Sequence, residues 1–98
     1  MKTYYVYILR CRDGSYYTGV TNDLALRVVQ HQQGIDSRCY TFCRRPLALV
    51  YSSSFGDIFE AIAWEKQLKG WSRKKKEALI RREFDALPEF SKRYTPYN

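Results

Sequence analysis

One acidic residue, Glu65, interrupts an apolar pattern in the second half of the chain. At about 100° per residue, Glu65 falls near the centre of an apolar helical arc. A carboxylate in a buried stripe is costly unless a metal ion, an arginine or the water of a cleft compensates its charge. The pattern leaves these three alternatives open and makes Glu65 a candidate functional residue. The arc consists of Ile58, Phe59, Ala61, Ile62, Ala63, Trp64 and Leu68.

A second candidate is the pair Arg27 and His31, which are four residues apart and therefore on one face of a helix. Arginine can hold a phosphate group through two hydrogen bonds, and histidine can donate a hydrogen bond or shuttle a proton. This chemistry suits phosphate transfer. Because the same spacing also occurs on ordinary helix surfaces, the pair alone is compatible with a structural role.

Two tyrosines, Tyr7 and Tyr17, lie in segments that we expect to pair as a hairpin around Asp13-Gly14. Tyrosines in strands ordinarily pack against cross-strand neighbours. Tyr17 differs because Gly19 follows it, and a glycine in a strand often permits close approach of backbone or ligand. Whether Tyr7 and Tyr17 share a face depends on the register, since a slip of one residue reverses the answer.

The net charge of +7 is concentrated in one segment. Residues 66–82 contain eight basic residues and one acid, which equals the net charge of the whole chain. Such a stripe favours a polyanionic partner, with nucleic acid ahead of an anionic membrane, although a solvated helix face is the plain alternative. The predicted nucleic-acid-binding residues are Arg44, Arg45, Lys66, Lys69, Arg73, Lys74, Lys75 and Lys76.

Length and composition favour one soluble domain. A chain of 98 residues with 45% hydrophobic residues supports a single core. No stretch approaches the roughly 20 apolar residues of a membrane span, and the first residues lack a secretory apolar region. Three cysteines without a signal peptide favour reduced thiols, and Cys39 and Cys43 lack the second pair that is typical of zinc sites. We therefore expect a cytoplasmic protein that does not act on membranes.

The order of elements predicts an α+β fold: a small three-stranded antiparallel sheet flanked by helices, in the order β-β-α-β-α-α. Gly34 and Gly70 are expected to end helices, and Ser72 to begin one. Thr21 or Asn22 is expected to cap the first helix. We predict one domain over residues 1–87 and a tail over 88–98. The predicted strands are 3–12, 16–21 and 47–53, and the predicted helices are 23–33, 57–69 and one that ends before Pro88; 35–45 is a predicted loop.

Taken together, these residues resemble the GIY-YIG nuclease domain family, which is named for tripeptides on its first two strands. The resemblance covers roughly residues 3–85, and it is specific because of the order and spacing of its parts. More narrowly, the chain resembles small stand-alone members that are similar to the amino-terminal domain of the excinuclease C subunit. The segments that fit the pattern of this subgroup are Tyr40-Thr41, Arg45-Pro46 and residues 71–76. The matching parts are Tyr5-Val6-Tyr7, Tyr17-Thr18-Gly19, Arg27 with His31, and Ala63-Trp64-Glu65-Lys66.

The resemblance implies a metal-dependent endonuclease that hydrolyses DNA phosphodiester bonds, in DNA repair or in the processing of structured DNA. RNA is a second possible substrate, and a partner protein or a homodimer could supply specificity. Glu65 would bind one Mg²⁺ or Mn²⁺ ion, and Arg27 would neutralise phosphate oxygens. Tyr17 would take a proton from the attacking water, directly or through a relay, while Tyr7 and His31 would orient the water or the phosphate.

The chain departs from the family pattern at two places. Tyr5 replaces the leading glycine of the first tripeptide, a change that this subgroup tolerates, and no asparagine lies between Glu65 and Pro88, where many active members have one. The missing asparagine and the lack of a second DNA-binding domain favour an alternative function. The alternative is a non-catalytic nucleic-acid-binding module that retains the nuclease fold. A protein-interaction or membrane-surface module would depend on the basic stripe alone.

Overall fold

The computed structural model describes residues 2–81, which form a three-stranded antiparallel sheet with three α-helices. The predicted α+β class and the order of elements are confirmed. The elements are β1 (Tyr4–Arg10), β2 (Tyr16–Thr21), α1 (Leu24–Gln33), a 3₁₀ turn (Phe42–Arg44), β3 (Ala48–Phe55), α2 (Ile58–Lys69) and α3 (Arg73–Ile80). No helix within these 80 residues is long and apolar enough to cross a membrane.

The central strand is β1, which pairs with β2 on one side and β3 on the other. Both of its faces are buried, because helices cover the sheet on both sides. Val6 and Ile8 pack against α2 and α3, in a core completed by Tyr51, Ala61, Trp64, Leu68 and Leu79. Tyr7 and Leu9 face the other side, with Cys11, Leu47 and the α1 residues Leu24 and Val28.

The turn and cap residues define most element boundaries. Gly34 ends α1 in the left-handed conformation with φ +68°, and a Cβ atom there would lie 2.6 Å from the guanidinium carbon of Arg45. The side chains of Asp57 and Ser72 cap α2 and α3 by accepting hydrogen bonds from backbone amides. These features are local, which is why sequence predicts them.

The predicted cap of α1 is wrong. The side chain of Asp23 accepts the hydrogen bond from the Leu26 amide at 3.1 Å, so Asp23 is the N-cap. The Thr21 hydroxyl is already used, because it accepts from the Asp23 amide at 3.0 Å in a turn that precedes the helix.

Other boundaries differ by one or two residues. β1 ends at Arg10 because the Cys11 amide donates to the Ser15 carbonyl and begins the hairpin turn. The loop over 35–45 contains the short 3₁₀ turn, and β3 extends to Phe55. The predicted tail, 88–98, and the end of the domain at 87 lie outside the described residues.

Candidate active site

The hairpin register places Tyr7 and Tyr17 on the same face of the sheet. Tyr17 lies opposite Leu9, and Tyr7 lies opposite Gly19. Residues opposite each other point to the same side, and Tyr7 and Leu9 are two residues apart on one strand. The two tyrosine ring centroids are 6.4 Å apart. This answers the question that the sequence left open.

Gly19 provides the space that the Tyr7 ring occupies. A Cβ atom at Gly19 would lie 2.6 Å from the Cζ atom of Tyr7, closer than real Cβ contacts allow. The Tyr7 side chain is only 1% exposed, so the ring cannot easily move aside. The absence of a side chain at Gly19 therefore makes room for the Tyr7 ring on the neighbouring strand.

His31 is the one α1 residue that is fully buried, at 6% exposure. Its Nε2 atom is 2.9 Å from the Tyr7 hydroxyl oxygen. Its ring contacts Tyr17 edge to face, with a centroid distance of 5.2 Å. Tyr7, Tyr17 and His31 come from three different elements and meet on one side of the sheet.

The loop between α1 and β3 completes the surroundings of His31 with residues to which the sequence assigned no chemical role. Thr41, 1% exposed, has its Oγ1 atom 2.9 Å from His31 Nδ1. The Thr41 hydroxyl donates a hydrogen bond to Cys39 Sγ at 3.4 Å. In the sequence, the one feature that pointed to Thr41 was the fit of Tyr40-Thr41 to the subgroup pattern. The neighbouring Tyr40 stacks on Tyr17 with a centroid distance of 6.3 Å.

Arg27 lies on the exposed side of this group. Its guanidinium donates to Gln30 Oε1 at 3.2 Å. Together with His31, Cys39 and Thr41, it lines a cleft of about 160 Å³ beside the tyrosines. The cleft therefore has a fixed positive charge at its rim and buried hydroxyl and imidazole groups next to it.

Burial keeps the three ring side chains neutral near pH 7. Burial, with a smaller contribution from Tyr17, raises the pKa of Tyr7 to about 12, and Arg27 partly opposes this shift. Burial also raises the pKa of Tyr17, against the attraction of Lys69 and Arg27. The pKa of His31 is lowered by burial and by the Arg27 charge. Each tyrosine therefore needs an additional cation before it can act as a base.

Glu65 is half-buried, but it lies beside the apolar stripe of α2 and not at its centre. The buried α2 residues are Ala61, Trp64 and Leu68, whereas Phe59 is 77% exposed. The apolar arc is thus narrower than the sequence suggested, because only one stripe of this helix faces the sheet. The Glu65 side chain keeps 13% exposure, and its Oε2 atom is 2.8 Å from Lys69 Nζ.

This contact excludes one of the alternatives for compensating the charge of Glu65. Its partner is a lysine one turn along the same helix, so the arginine salt bridge is wrong. The Lys69 charge also lowers the pKa of Tyr17, which places the end of α2 within electrostatic reach of the tyrosines. Lys69 was predicted to bind nucleic acid, and in the structure its ammonium group forms an ion pair with Glu65.

A magnesium ion fits the donor that Glu65 offers. Over residues 2–81 there is no group of three or more His, Cys, Asp or Glu residues that could enclose a metal. Magnesium does not require such a group, because it usually keeps several waters and takes one or two carboxylates plus substrate phosphates. Glu65 is a carboxylate of the kind that could provide one such ligand, and in the structure its Oε2 atom is paired with Lys69.

The remaining predicted nucleic-acid-binding residues differ in how far their side chains are engaged. Arg44 pairs with Asp13 at 3.1 Å and covers the Tyr40 ring, and Arg45 donates to the carbonyls of Phe42 and Gln32. Both arginines thereby order the loop before β3.

On the last two helices, the exposed lysines are Lys66, Lys69 and Lys74, and of these Lys69 is paired with Glu65. Arg73 pairs with Glu77 at 3.2 Å, and Lys75 lies over the Trp71 ring. Lys76 is half-buried, and burial and Lys69 lower its pKa. Lys66 and Lys74 are therefore best exposed for contact with a polyanion.

Lowering the pH from about 7.5 to about 5.5 is expected to destabilise the protein through His31. Because the folded-state pKa lies below the ordinary value of 6.5, the unfolded chain binds a proton that the folded protein does not. Stability is therefore complete above 6.5 and falls as the pH drops towards the folded pKa. Urea midpoints across this range measure the effect.

His31→Gln is the control for this titration, since His31 is the only histidine. The pKa values of Asp13 and Asp36 are held below their ordinary range by hydrogen bonds, so these groups stay charged throughout. An equally steep pH dependence in His31→Gln would contradict the prediction.

Comparison with known proteins identifies the family. The family model of the GIY-YIG catalytic domain matches residues 3–78. A UPF0213 protein of Staphylococcus saprophyticus is 42% identical over 80 residues, which cover 82% of this chain and 96% of that protein. The solution NMR structure of the UPF0213 protein BH0048 from Bacillus halodurans is similar, with a TM-score of 0.53, 45% identity, and coverage of 80% of this chain and 82% of that one.

A second solution NMR structure, of the protein EF2693 from E. faecalis, has a TM-score of 0.59 at 32% identity and covers 83% of this chain and 85% of that one. The family match spans the hairpin, α1 and α2, which carry the tyrosines, Arg27, His31 and Glu65. The chain therefore belongs to the GIY-YIG catalytic domain family, a nuclease family, and is related to its small UPF0213 proteins.

Proposed function

We propose that this protein is a metal-dependent endonuclease that hydrolyses phosphodiester bonds in DNA. One observation carries the proposal: Tyr7, Tyr17 and His31 meet beside a cleft whose rim carries the Arg27 guanidinium. Hydrolysis of a phosphodiester needs a cation for the phosphate and a group that can accept a proton from water. These side chains provide both kinds of group within one small surface.

Arg27 binds the scissile phosphate in this proposal. Its guanidinium is exposed and donates to a neutral glutamine, Gln30, while Asp36, a carboxylate that lines the same cleft, pairs with Arg38. A guanidinium matches two phosphate oxygens geometrically and stays charged at any physiological pH. Its charge would oppose the negative charge that accumulates on the phosphate as water attacks.

Tyr17 is the better of the two tyrosines to accept the proton of the attacking water. Both Lys69 and Arg27 stabilise its phenolate, whereas the pKa of Tyr7 remains at about 12. Tyr7 instead has a fixed hydrogen bond with His31 and is suited to orienting the water or the phosphate. A phosphate-bound cation would lower the pKa of Tyr17 further.

Glu65 would hold the Mg²⁺ or Mn²⁺ ion. When bound, the ion supplies Lewis-acid stabilisation of charge on the phosphate and on the departing oxygen. Lys69, released from Glu65, remains on the adjacent turn of α2 and can pair with a phosphate oxygen. The half-buried position of Glu65 keeps its carboxylate in one orientation beside the stripe of Trp64 and Leu68.

Nucleic acid would dock along the exposed lysines of α2 and α3. We expect the double variant Lys66→Gln/Lys74→Gln to weaken DNA binding and reduce the slope of log K against log salt by about 1.8, because each lost phosphate contact contributes about 0.9. Single-turnover cleavage of bound DNA should change little, since neither lysine touches the tyrosines. Fluorescence anisotropy titrations at several salt concentrations measure the slope.

Lys2→Gln is the matched control, because Lys2 is an exposed lysine that precedes β1. It removes one positive charge, half of what the double variant removes, at a place away from the two helices. Equal slopes for the double variant and Lys2→Gln would show that α2 and α3 do not contact the phosphate backbone.

A cleavage panel tests the proposed function. Purified protein is incubated with duplex, nicked, flapped, branched and single-stranded DNA, and with RNA, in Mg²⁺, Mn²⁺ or a chelator. We expect metal-dependent products on at least one DNA and their loss in Arg27→Ala. Salt-dependent binding without products on any substrate would instead support the non-catalytic module.

The cellular setting follows from the substrate class. We propose DNA repair or the processing of structured DNA in the cytoplasm, with a second copy of the chain or a partner protein supplying specificity. The branched, flapped and nicked members of the panel address that preference directly.

A further inference from the structure

We propose that Thr41 is a positioning residue that sets the tautomer of His31, so that the unprotonated Nε2 atom accepts a hydrogen bond from the Tyr7 hydroxyl. Its consequence for catalysis rests on the proposed nuclease function, but the tautomer itself does not. A buried series of hydrogen bonds runs from Tyr7 through His31 and Thr41 to Cys39.

The donor and the acceptor in each of these hydrogen bonds follow from the number of hydrogens that each group carries. A hydroxyl has one hydrogen, and the Thr41 hydroxyl donates it to Cys39 Sγ at 3.4 Å. Its oxygen therefore accepts from His31, whose Nδ1 atom is 2.9 Å away and must carry the proton. In a neutral imidazole the other nitrogen, Nε2, is then an acceptor for the Tyr7 hydroxyl at 2.9 Å.

The opposite direction leaves the Tyr7 hydrogen without a good acceptor. If Thr41 donated to Nδ1, the Nε2–H group of His31 would donate to the Tyr7 oxygen. The phenol hydrogen would then have to point elsewhere, and the Arg27 guanidinium, whose positive charge acts on that oxygen, has only donors. At 1% exposure, Tyr7 also has little access to water. The first direction satisfies every group.

The charge state of His31 agrees with this assignment. Burial and the Arg27 charge lower the pKa of His31, so the ring is neutral near pH 7 and has a single ring proton. Thr41 is almost completely buried, which removes competition from solvent for Nδ1. The Thr41 hydroxyl at 2.9 Å is the closer of the two neighbours of Nδ1, since Cys39 Sγ is 3.9 Å away, and it therefore sets the preferred tautomer of the neutral ring.

The tautomer controls which way the Tyr7 hydroxyl points. With its hydrogen held by Nε2, the Tyr7 oxygen turns a free lone pair towards the positive charge of Arg27. With the reverse tautomer, the Nε2–H group would donate to that oxygen, and the Tyr7 hydrogen would point away from His31. Thr41 thus acts on the reaction through His31 and Tyr7 and does not touch the substrate.

Heteronuclear NMR of the imidazole nitrogens tests the assignment. Because His31 is the only histidine, its signals need no further assignment. We expect the Nδ1–H tautomer in the wild-type protein and in Thr41→Ser, which keeps the hydroxyl. Thr41→Val has a similar shape without the hydroxyl and should lose this preference, with cleavage reduced about tenfold, the value of one hydrogen bond.

Two outcomes would overturn the inference: an Nε2–H tautomer in the wild-type protein, or an unchanged Nδ1–H tautomer in folded Thr41→Val. The wild-type measurement is sufficient by itself if Thr41→Val does not fold. An Nδ1–H tautomer in a protein that cleaves no DNA would refute the proposed function and leave the tautomer assignment standing.

Discussion

Glu65→Gln is expected to remove metal-dependent cleavage almost completely, with a rate loss of about 10³-fold or more. Glutamine has nearly the same shape as glutamate but lacks the charge that binds a divalent cation. Glu65 is the single carboxylate on the half-buried edge of the α2 stripe, and its nearest charged neighbour is a lysine. Initial rates of DNA cleavage in Mg²⁺, at equal DNA occupancy, measure the loss.

Stability should change little in the same variant. The Glu65–Lys69 contact lies on one helix, and the lysine is more than half exposed, so the ion pair is worth at most about 1 kcal/mol. A urea unfolding curve near that of the wild type would show that the lost rate is chemical and not a loss of folded protein.

Glu60→Gln is the matched control, since Glu60 is an exposed glutamate in the first turn of the same helix. It should cleave at the wild-type rate. If Glu65→Gln and Glu60→Gln cleave equally well in Mg²⁺, Glu65 does not bind the metal, and the proposed mechanism is wrong at that residue.

Gly19→Ala is expected to damage both stability and activity. The added Cβ atom would lie 2.6 Å from Tyr7 Cζ, and accommodating it in a closely packed site costs about 1–3 kcal/mol. The reduced backbone freedom of alanine stabilises a strand by at most about 1 kcal/mol, so the steric term wins. Displacement of Tyr7 by even about 1 Å should slow cleavage by roughly 10²-fold. Urea unfolding and cleavage assays measure the two effects.

Gly56→Ala provides the control, because no atom lies within 4 Å of a Cβ atom at that position. It introduces the same methyl group between β3 and α2 without a collision. Wild-type stability and cleavage in Gly19→Ala would show that the Tyr7 ring can adopt another conformation without cost. The contact with Tyr7 would then not explain the glycine at position 19.

The limits of β2 and the end of α2 could be predicted from sequence alone. β2 has its predicted limits, Tyr16–Thr21, because Asp13-Gly14 and the following tyrosines act locally. The end of α2 at Lys69 follows from Gly70. The cap of α1 could not be chosen in this way, since Thr21 and Asp23 are both good cap residues and a local turn decided between them.

The candidate site was predictable in its residue types but not in its connections. Local spacing identifies Arg27 and His31 as a pair, but it does not show that one is exposed and the other buried. It likewise cannot show that Thr41 reaches His31, because the end of α1 and a loop lie between them and loop closure has no periodic signal.

The amino-acid sequence by itself determined the order of elements, most caps and the residue types that can act on a phosphate. These depend on interactions between near neighbours along the chain. The tertiary structure decided that Tyr7 and Tyr17 share a face, that Glu65 pairs with Lys69 beside the buried stripe, and that Thr41 closes the chain of hydrogen bonds. Those outcomes depend on strand register and on how helices pack against the sheet, where a shift of one residue reverses a face.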